Sequence, residues 1–168
     1  MPMSSQIKKE AAEEAARLLD AAWPLHIIPV DPVGIANTAG LRVVDAPLDD
    51  DTLGLLIKQP GQEPTIMINQ SDPENRKRFT CAHELGHWVR RSSEDDAYTT
   101  VDFRGPLAAI GENDEEIFAN EFAACLLMPE EDFRRAHTLG RNDILLSIEF
   151  QVSREAAQFR LKNLGLMK

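Results

Sequence analysis

The stretch His83-Glu84-Leu85-Gly86-His87 decides the reading of this chain. It lies in a segment opened by Ser71-Asp72-Pro73-Glu74, a helix-start pattern, and the sequence predicts a helix from there to about Arg91. On a helix, residues four apart differ by about 40° of rotation, so His83 and His87 share one face. Two neutral imidazole nitrogens one turn apart can grip a single Zn²⁺. Glu84 lies about 100° from His83. That offset sets its carboxylate beside the metal, where it can take a proton from an attacking water. Ala82, Leu85, Trp88 and Val89 make the helix apolar enough to be buried, and polar imidazoles in a buried helix need partners.

A catalytic zinc takes a third protein ligand and keeps one position open. Asn113-Asp114 opens a second long helix that ends at Met128-Pro129. Its run from Ile117 to Met128 is apolar except for Asn120 and Glu121, so it too is expected inside. Glu116 and Asn120 lie one turn apart on one face. Glu116 is the candidate third ligand, with Asn120 holding the site around it. Glu112, Asp114, Glu115 and Glu121 are the other carboxylates in reach by sequence, and Glu116 could instead serve the helix dipole from the first turn. Cys81 lies about 200° around its helix from His83, and Cys125 about 180° from Glu116, so both are expected to be small buried apolar residues rather than ligands.

Working outward, residues 4–22 read as an Ala-rich amphipathic helix, stopped at Trp23-Pro24. Asp31-Pro32 caps a short helix that Gly40 closes. Leu41 to Val44, Leu53 to Lys58 and Thr65 to Asn69 read as three strands, the last two joined as a hairpin by the turn residues Pro60 to Pro64. Residues 92–111 have no clear period and read as a long loop or lid holding at most a short strand. Three shorter helices follow at about 130–137, 142–150 and 154–164. The expected class is α+β: a small, about three-stranded sheet packed on the His83–His87 helix, with a helical C-terminal part. The 168 residues suffice for a core without disulfides, and are expected to form one domain, with a catalytic part at 1–128 and a helical part at 129–168.

The net charge of −10 argues against a general nucleic-acid binder and against a polybasic membrane-surface protein. No apolar run is long enough to span a bilayer, the first ten residues do not form a secretory signal, and two cysteines do not make a disulfide framework. A cytoplasmic protein is expected. The acid is concentrated: residues 92–132 carry one base against twelve acids, whereas residues 133–168 carry seven bases against three acids. Glu94, Asp95 and Asp96 could belong to an acidic rim that attracts a basic substrate.

Leu145 to Leu164 is patterned as a helix-turn-helix, with Ser153 capping the second helix and Ala156, Phe159 and Leu161 facing inward. Gln151 stands where such turns often carry Gly. DNA contact through Arg154, Arg160 and Lys162 is the functional version of this pattern. The acidic balance of the whole chain favours a structural cap or a protein-docking unit instead.

Two segments resemble a known family. Arg78-Phe79-Thr80-Cys81-Ala82-His83-Glu84-Leu85-Gly86-His87 resembles the active-site helix of the ImmA/IrrE metallopeptidases. Glu116 through Pro129 is similar to the second signature of that family, of form ExxANxFAAxLLMP. The C-terminal stretch from Val152 to Leu166 also resembles the family's helical end. The resemblance implies a zincin-like fold, His83, His87 and Glu116 as zinc ligands, and Glu84 as general base. It further implies a short-form zinc endopeptidase that cleaves a helix-turn-helix repressor encoded nearby, relieving repression of stress-response or mobile-element genes. Zinc suits a His₂Glu set best, with manganese or iron as alternatives. Tyr98 is the candidate oxyanion donor, with His137 behind it. The competing expectation is a regulator, anti-repressor or toxin–antitoxin partner that binds the repressor without cutting it.

Overall fold

The computed structural model describes residues 3–91, 97–103 and 113–167. Glu94, Asp95, Asp96 and Glu112 lie outside the described residues.

The chain opens with α1 (Met3–Ala22), whose buried residues Ile7, Ala11, Ala15 and Leu19 recur every four positions and form one stripe. After Trp23 the backbone turns into α2 (Pro32–Thr38), where the Asp31 side chain accepts the Val33 N–H and Pro32 occupies the first turn. Strands β1 (Arg42–Ala46), β2 (Thr52–Lys58) and β3 (Thr65–Asn69) follow. β2 and β3 pair antiparallel, as the turn residues between them predict, and β1 runs parallel to β3.

The sheet has four strands rather than about three, in the order β1-β3-β2-β4. The fourth, β4 (Tyr98–Phe103), pairs antiparallel with β2 and falls inside the segment that reads as a loop. Its apolar alternation is inverted. Val101 and Phe103 point outward and are 41% and 37% exposed, while Thr100 and Asp102 face inward. A strand whose inner face is polar does not show the period expected of a half-buried strand.

Helix α3 (Glu74–Arg90) lies across one face of the sheet and is buried from Thr80 to His87. It comes so close to β2 that a Cβ on Gly54 would sit 2.5 Å from Thr80 Cγ2 and 3.6 Å from Glu84 Cγ. Helix α4 (Asp114–Leu127) packs against α3 on one side and α1 on the other. Asn113 caps α4, accepting the Glu116 N–H at 3.0 Å.

Helices α5 (Glu130–Thr138), α6 (Asp143–Phe150) and α7 (Arg154–Asn163) complete the chain. Phe133 and Phe150 pack with ring centroids 5.1 Å apart. Asn142 and Ser153 cap α6 and α7. The α6–α7 turn passes through Gln151 in the left-handed region, φ 50°, the conformation that usually selects Gly. The architecture is therefore α+β and zincin-like, a small sheet packed on the His83–His87 helix and followed by a helical, helix-turn-helix-like end.

The inward face of α7 differs from the sequence expectation. Leu161 is buried and Ala156 packs against the core, but Phe159 is 58% exposed and Arg160 is 4% exposed. Arg160 turns in because partners wait for it: Nε donates to Met128 O at 3.1 Å, and the guanidinium reaches Cys125 Sγ at 3.4 Å and Glu121 at 3.9 Å. Met128 O belongs to the residue just after α4, so Arg160 ties the C-terminal helices to the end of that helix. Of the three cations of the DNA-contact reading, Arg160 is committed inside the molecule, while Arg154 stays exposed at the surface, paired with Asp143 at 2.7 Å. No helix among the described residues is long and apolar enough to cross a membrane.

Candidate metal centre

The centre forms where α3 and α4 lie side by side, at a contact made possible by Gly86. A Cβ at that position would meet Ala119 Cα and Phe122 Cδ1, each at 3.1 Å. The close approach sets the inward face of α3 against Glu116 and Asn120 of α4. His83 is 2% exposed, His87 4% and Glu84 0%.

His83, His87 and Glu116 bring their donor atoms together. The two Nε2 atoms are 3.1 Å apart, Glu116 Oε1 is 3.1 Å from His87 Nε2, and Glu116 Oε2 is 3.4 Å from His83 Nε2. Asn120 Oδ1 lies 3.1 Å from His83 Nδ1 and accepts its proton, so Nε2 is the nitrogen turned to the cluster. Two imidazole nitrogens at this separation, with a carboxylate against both, need a proton or a cation among them. The set of two nitrogens and one carboxylate is one that zinc accepts, and the Glu116 side chain, 31% exposed, opens the cluster toward solvent. These residues fit a divalent metal.

The electrostatics follow from burial and mutual contact. Burial alone would lower the His83 pKa, but hydrogen bonding to Glu116 and the surrounding carboxylates outweigh it and push it up to about 9. Burial would raise Glu116, yet its hydrogen bonds to His83 and His87 hold its carboxyl well below the usual range. Glu84 is pushed up to about 7 by burial, against the pull of His83, His87 and Thr100. Its Oε2 accepts a hydrogen bond from Thr100 Oγ1 at 2.8 Å, while Oε1 has no hydrogen-bond partner among the described residues.

The other sequence candidates fall elsewhere. Glu115 forms a two-pronged pair with Arg91 at 2.7 and 2.8 Å, and Glu121 faces Arg160 and Cys125. Cys81 is fully buried and burial pushes its thiol up to about 12, consistent with an inert core residue. Cys125 is buried as expected but is not purely apolar, since its sulfur touches both Arg160 and Glu121. Tyr98 opens β4 with its ring near Arg91 and Lys58, 5.2 and 5.6 Å from the ring centroid. His137 lies in the last turn of α5.

Two residues that sequence reasoning missed also face the centre from β4. Thr100 holds Glu84. Asp102 offers a carboxylate oxygen within 4.8 Å of donor atoms on His83 and Glu84, and burial raises its pKa. The signal that could have found them is the alternation of Tyr98, Thr100 and Asp102 with Thr99, Val101 and Phe103, read as a strand with a polar inner face.

Comparison with known proteins adds a family and a fold. The family model described as Peptidase_M78, IrrE N-terminal-like domain, matches residues 36–162. No curated protein matches the chain. Among solved structures, a Mycobacterium tuberculosis transcriptional regulator is similar with a TM-score of 0.60 and 16% identity, over 96% of this chain and 52% of that one. This chain thus spans about half the length of that protein, and at this identity the likeness speaks for the fold alone.

Proposed function

Because the chain belongs to the IrrE N-terminal-like peptidase family, a family of metallopeptidases, we propose that it is a zinc-dependent endopeptidase whose substrate is a helix-turn-helix transcriptional repressor. The observation that carries the proposal is the convergence of His83 Nε2, His87 Nε2 and the Glu116 carboxylate beside the buried Glu84. His83, His87 and Glu116 would hold the ion, with manganese as an alternative to zinc, and Asn120 would orient His83. Zinc, when bound, supplies the Lewis acidity that activates water and polarises a peptide carbonyl.

Glu84 is the general base. Thr100 fixes one oxygen of its carboxylate and leaves Oε1 to accept the proton of the attacking water. Burial raises the Glu84 pKa in the metal-free site, which favours taking up that proton, and the group must then release it to the leaving amine. Tyr98 is retained as the proposed oxyanion donor. Residues 1–128 would form the catalytic part and residues 129–168 a helical part that docks protein rather than DNA. Cleavage of a repressor would relieve repression of stress-response or mobile-element genes in the cytoplasm.

The test is to incubate the full chain, loaded with zinc, with the helix-turn-helix protein encoded beside it. Fragments are expected with wild type, and none with chelator or with Glu84→Gln, which should still retain zinc. Equal cleavage by Glu84→Gln and wild type would remove Glu84 from the mechanism. The same mixture separates the second reading, a regulator that only binds. The outward apolar side chains Ile144, Leu145 and Ile148 of α6 favour such a role, and it would give a stable complex without fragments.

A further inference from the structure

α3 and α4 run antiparallel, and the candidate metal centre lies along their contact. His83 meets Asn120, Gly86 faces Ala119 and Arg91 pairs with Glu115. One end of the helix pair therefore holds Arg91 and Glu115, and the other holds the start of α3 and the end of α4. The first end is pinned directly, since Arg91 donates to both carboxylate oxygens of Glu115 at 2.7 and 2.8 Å. At the other end the ties run through the C-terminal helices. Arg78 of α3 donates from Nε to Gln151 O at 3.2 Å, in the α6–α7 turn, and from Nη2 to Val30 O at 2.6 Å. Arg160 of α7 donates from Nε to Met128 O at 3.1 Å, at the residue that follows α4.

The α6–α7 unit thus spans from α3 to the end of α4. Both ties are hydrogen bonds from a guanidinium, stronger than those between neutral groups. Both acceptors are main-chain carbonyls, so each arginine fixes the course of a backbone rather than the rotamer of one side chain. As elements, α6 and α7 pack chiefly on one another and on α5, which leaves these two ties to carry much of the connection to α3 and α4. We infer that Arg78 and Arg160 are positioning residues of the metal centre. Through the α6–α7 unit they hold the start of α3 against the end of α4, and so keep His83 and His87 of one helix within reach of Glu116 and Asn120 of the other. The segment patterned as a helix-turn-helix then serves as a brace. Zinc and the brace favour the same approach of the two helices, so each strengthens the other by the same factor. The inference rests on the metal-binding part of the proposed reading and is independent of what the chain cleaves.

The test uses the full chain and zinc alone, with affinity read by competition with a chelator and backbone hydrogen exchange read across α6 and α7. Arg78→Met and Arg160→Met keep an aliphatic stem and remove the donors. Each is expected to weaken zinc binding by ~5-fold or more, the lower bound usual for coupling between separate sites. Arg160→Lys, which keeps the charge and one donor, should recover much of that loss. A brace fails when either end is freed, so the double variant should bind zinc no more weakly than the weaker single variant, whereas two independent structural losses would add. In wild type, zinc should slow exchange in α3, α4 and across α6 and α7 alike. In Arg78→Met the slowing should persist in α3 and α4 and be lost in α6 and α7. Unchanged affinity in both single variants, or fully additive losses, would overturn the inference. Should Arg160→Met fail to fold, Arg78→Met decides alone, since that residue is only partly buried, and zinc-induced slowing that persists in its α6 and α7 refutes the brace. Wild type that binds no zinc removes the metal reading together with this inference. Zinc binding that leaves exchange in α6 and α7 unaltered removes this inference alone.

Discussion

Asn120 Oδ1 sits 3.1 Å from His83 Nδ1, so a residue of α4 sets the orientation of a residue of α3. An imidazole that donates from Nδ1 presents Nε2 to the cluster, and the hydrogen bond also stops the ring from rotating. Asn120→Ala is expected to weaken zinc binding by ~10–100-fold, the usual effect of removing such a partner. Asn120→Asp, which still accepts the proton, should come close to wild type. Competition with a chromophoric chelator measures both, and an unchanged affinity in Asn120→Ala would mean that packing alone orients His83.

Thr100→Val removes the donor that Glu84 Oε2 accepts from. Valine is nearly the same shape, so the strand should keep its course. A hydrogen bond to the ionised carboxylate favours that form, and its loss should raise the Glu84 pKa. Leaving a buried acceptor unmatched costs ~1–3 kcal/mol. The acid limb of the kcat/KM profile is expected to move to higher pH with zinc content unchanged. A limb that stays in place would place the working base elsewhere.

Gly86→Ala tests the helix contact on which the centre depends. The added Cβ would lie 3.1 Å from Ala119 Cα and 3.3 Å from Ala119 O, both backbone atoms that cannot swing aside. Overpacking of this kind costs ~1–3 kcal/mol, and the better helix propensity of Ala returns up to ~1 kcal/mol. A lower denaturation midpoint is expected, together with weaker zinc binding, because Ala119 adjoins Asn120 and lies three residues beyond Glu116 on the same helix. A variant with unaltered midpoint and affinity would show that α3 and α4 can separate freely.

The candidate cluster was legible because its logic is local. His83 and His87, like Glu116 and Asn120, are one turn apart, and helical geometry alone assigns each pair to a face. The two pairs meet through a contact that needs no side chain at Gly86, and only the fold supplies it. β4 was hard to read because Thr100 and Asp102 point inward while Val101 and Phe103 point out, the reverse of the usual sign. Arg160 escaped for a related reason. Its hydrogen-bond partner Met128 O lies 32 residues away, beyond the reach of any local pattern, and it draws a charged side chain inside while Phe159 stays exposed. In each case a polar partner on another element decided which face turned in.

With His83 and Glu116 as the proposed ligands, their pairing would link metal binding to pH. In the metal-free protein, His83 is pushed up to about 9 from an ordinary 6.5, and Glu116 is held below its ordinary 4.5. The His83 contribution to stability is therefore fully present below pH 6.5 and is lost as pH rises through about 9. The Glu116 contribution is present above pH 4.5 and is lost in acid. Between these limits the pair holds the metal-free site together, and zinc must displace the proton from His83 Nε2 to enter it. From pH 6.5 to 9 the two effects diverge: the metal-free protein loses stability, while zinc meets less competition from that proton. The difference in Tm between zinc-loaded and chelated protein is thus expected to widen steadily across this window, with protons released on zinc addition at its lower end. A difference that stays constant, with no proton release at pH 7, would show that His83 is already neutral there and that Glu116 does not hold its proton.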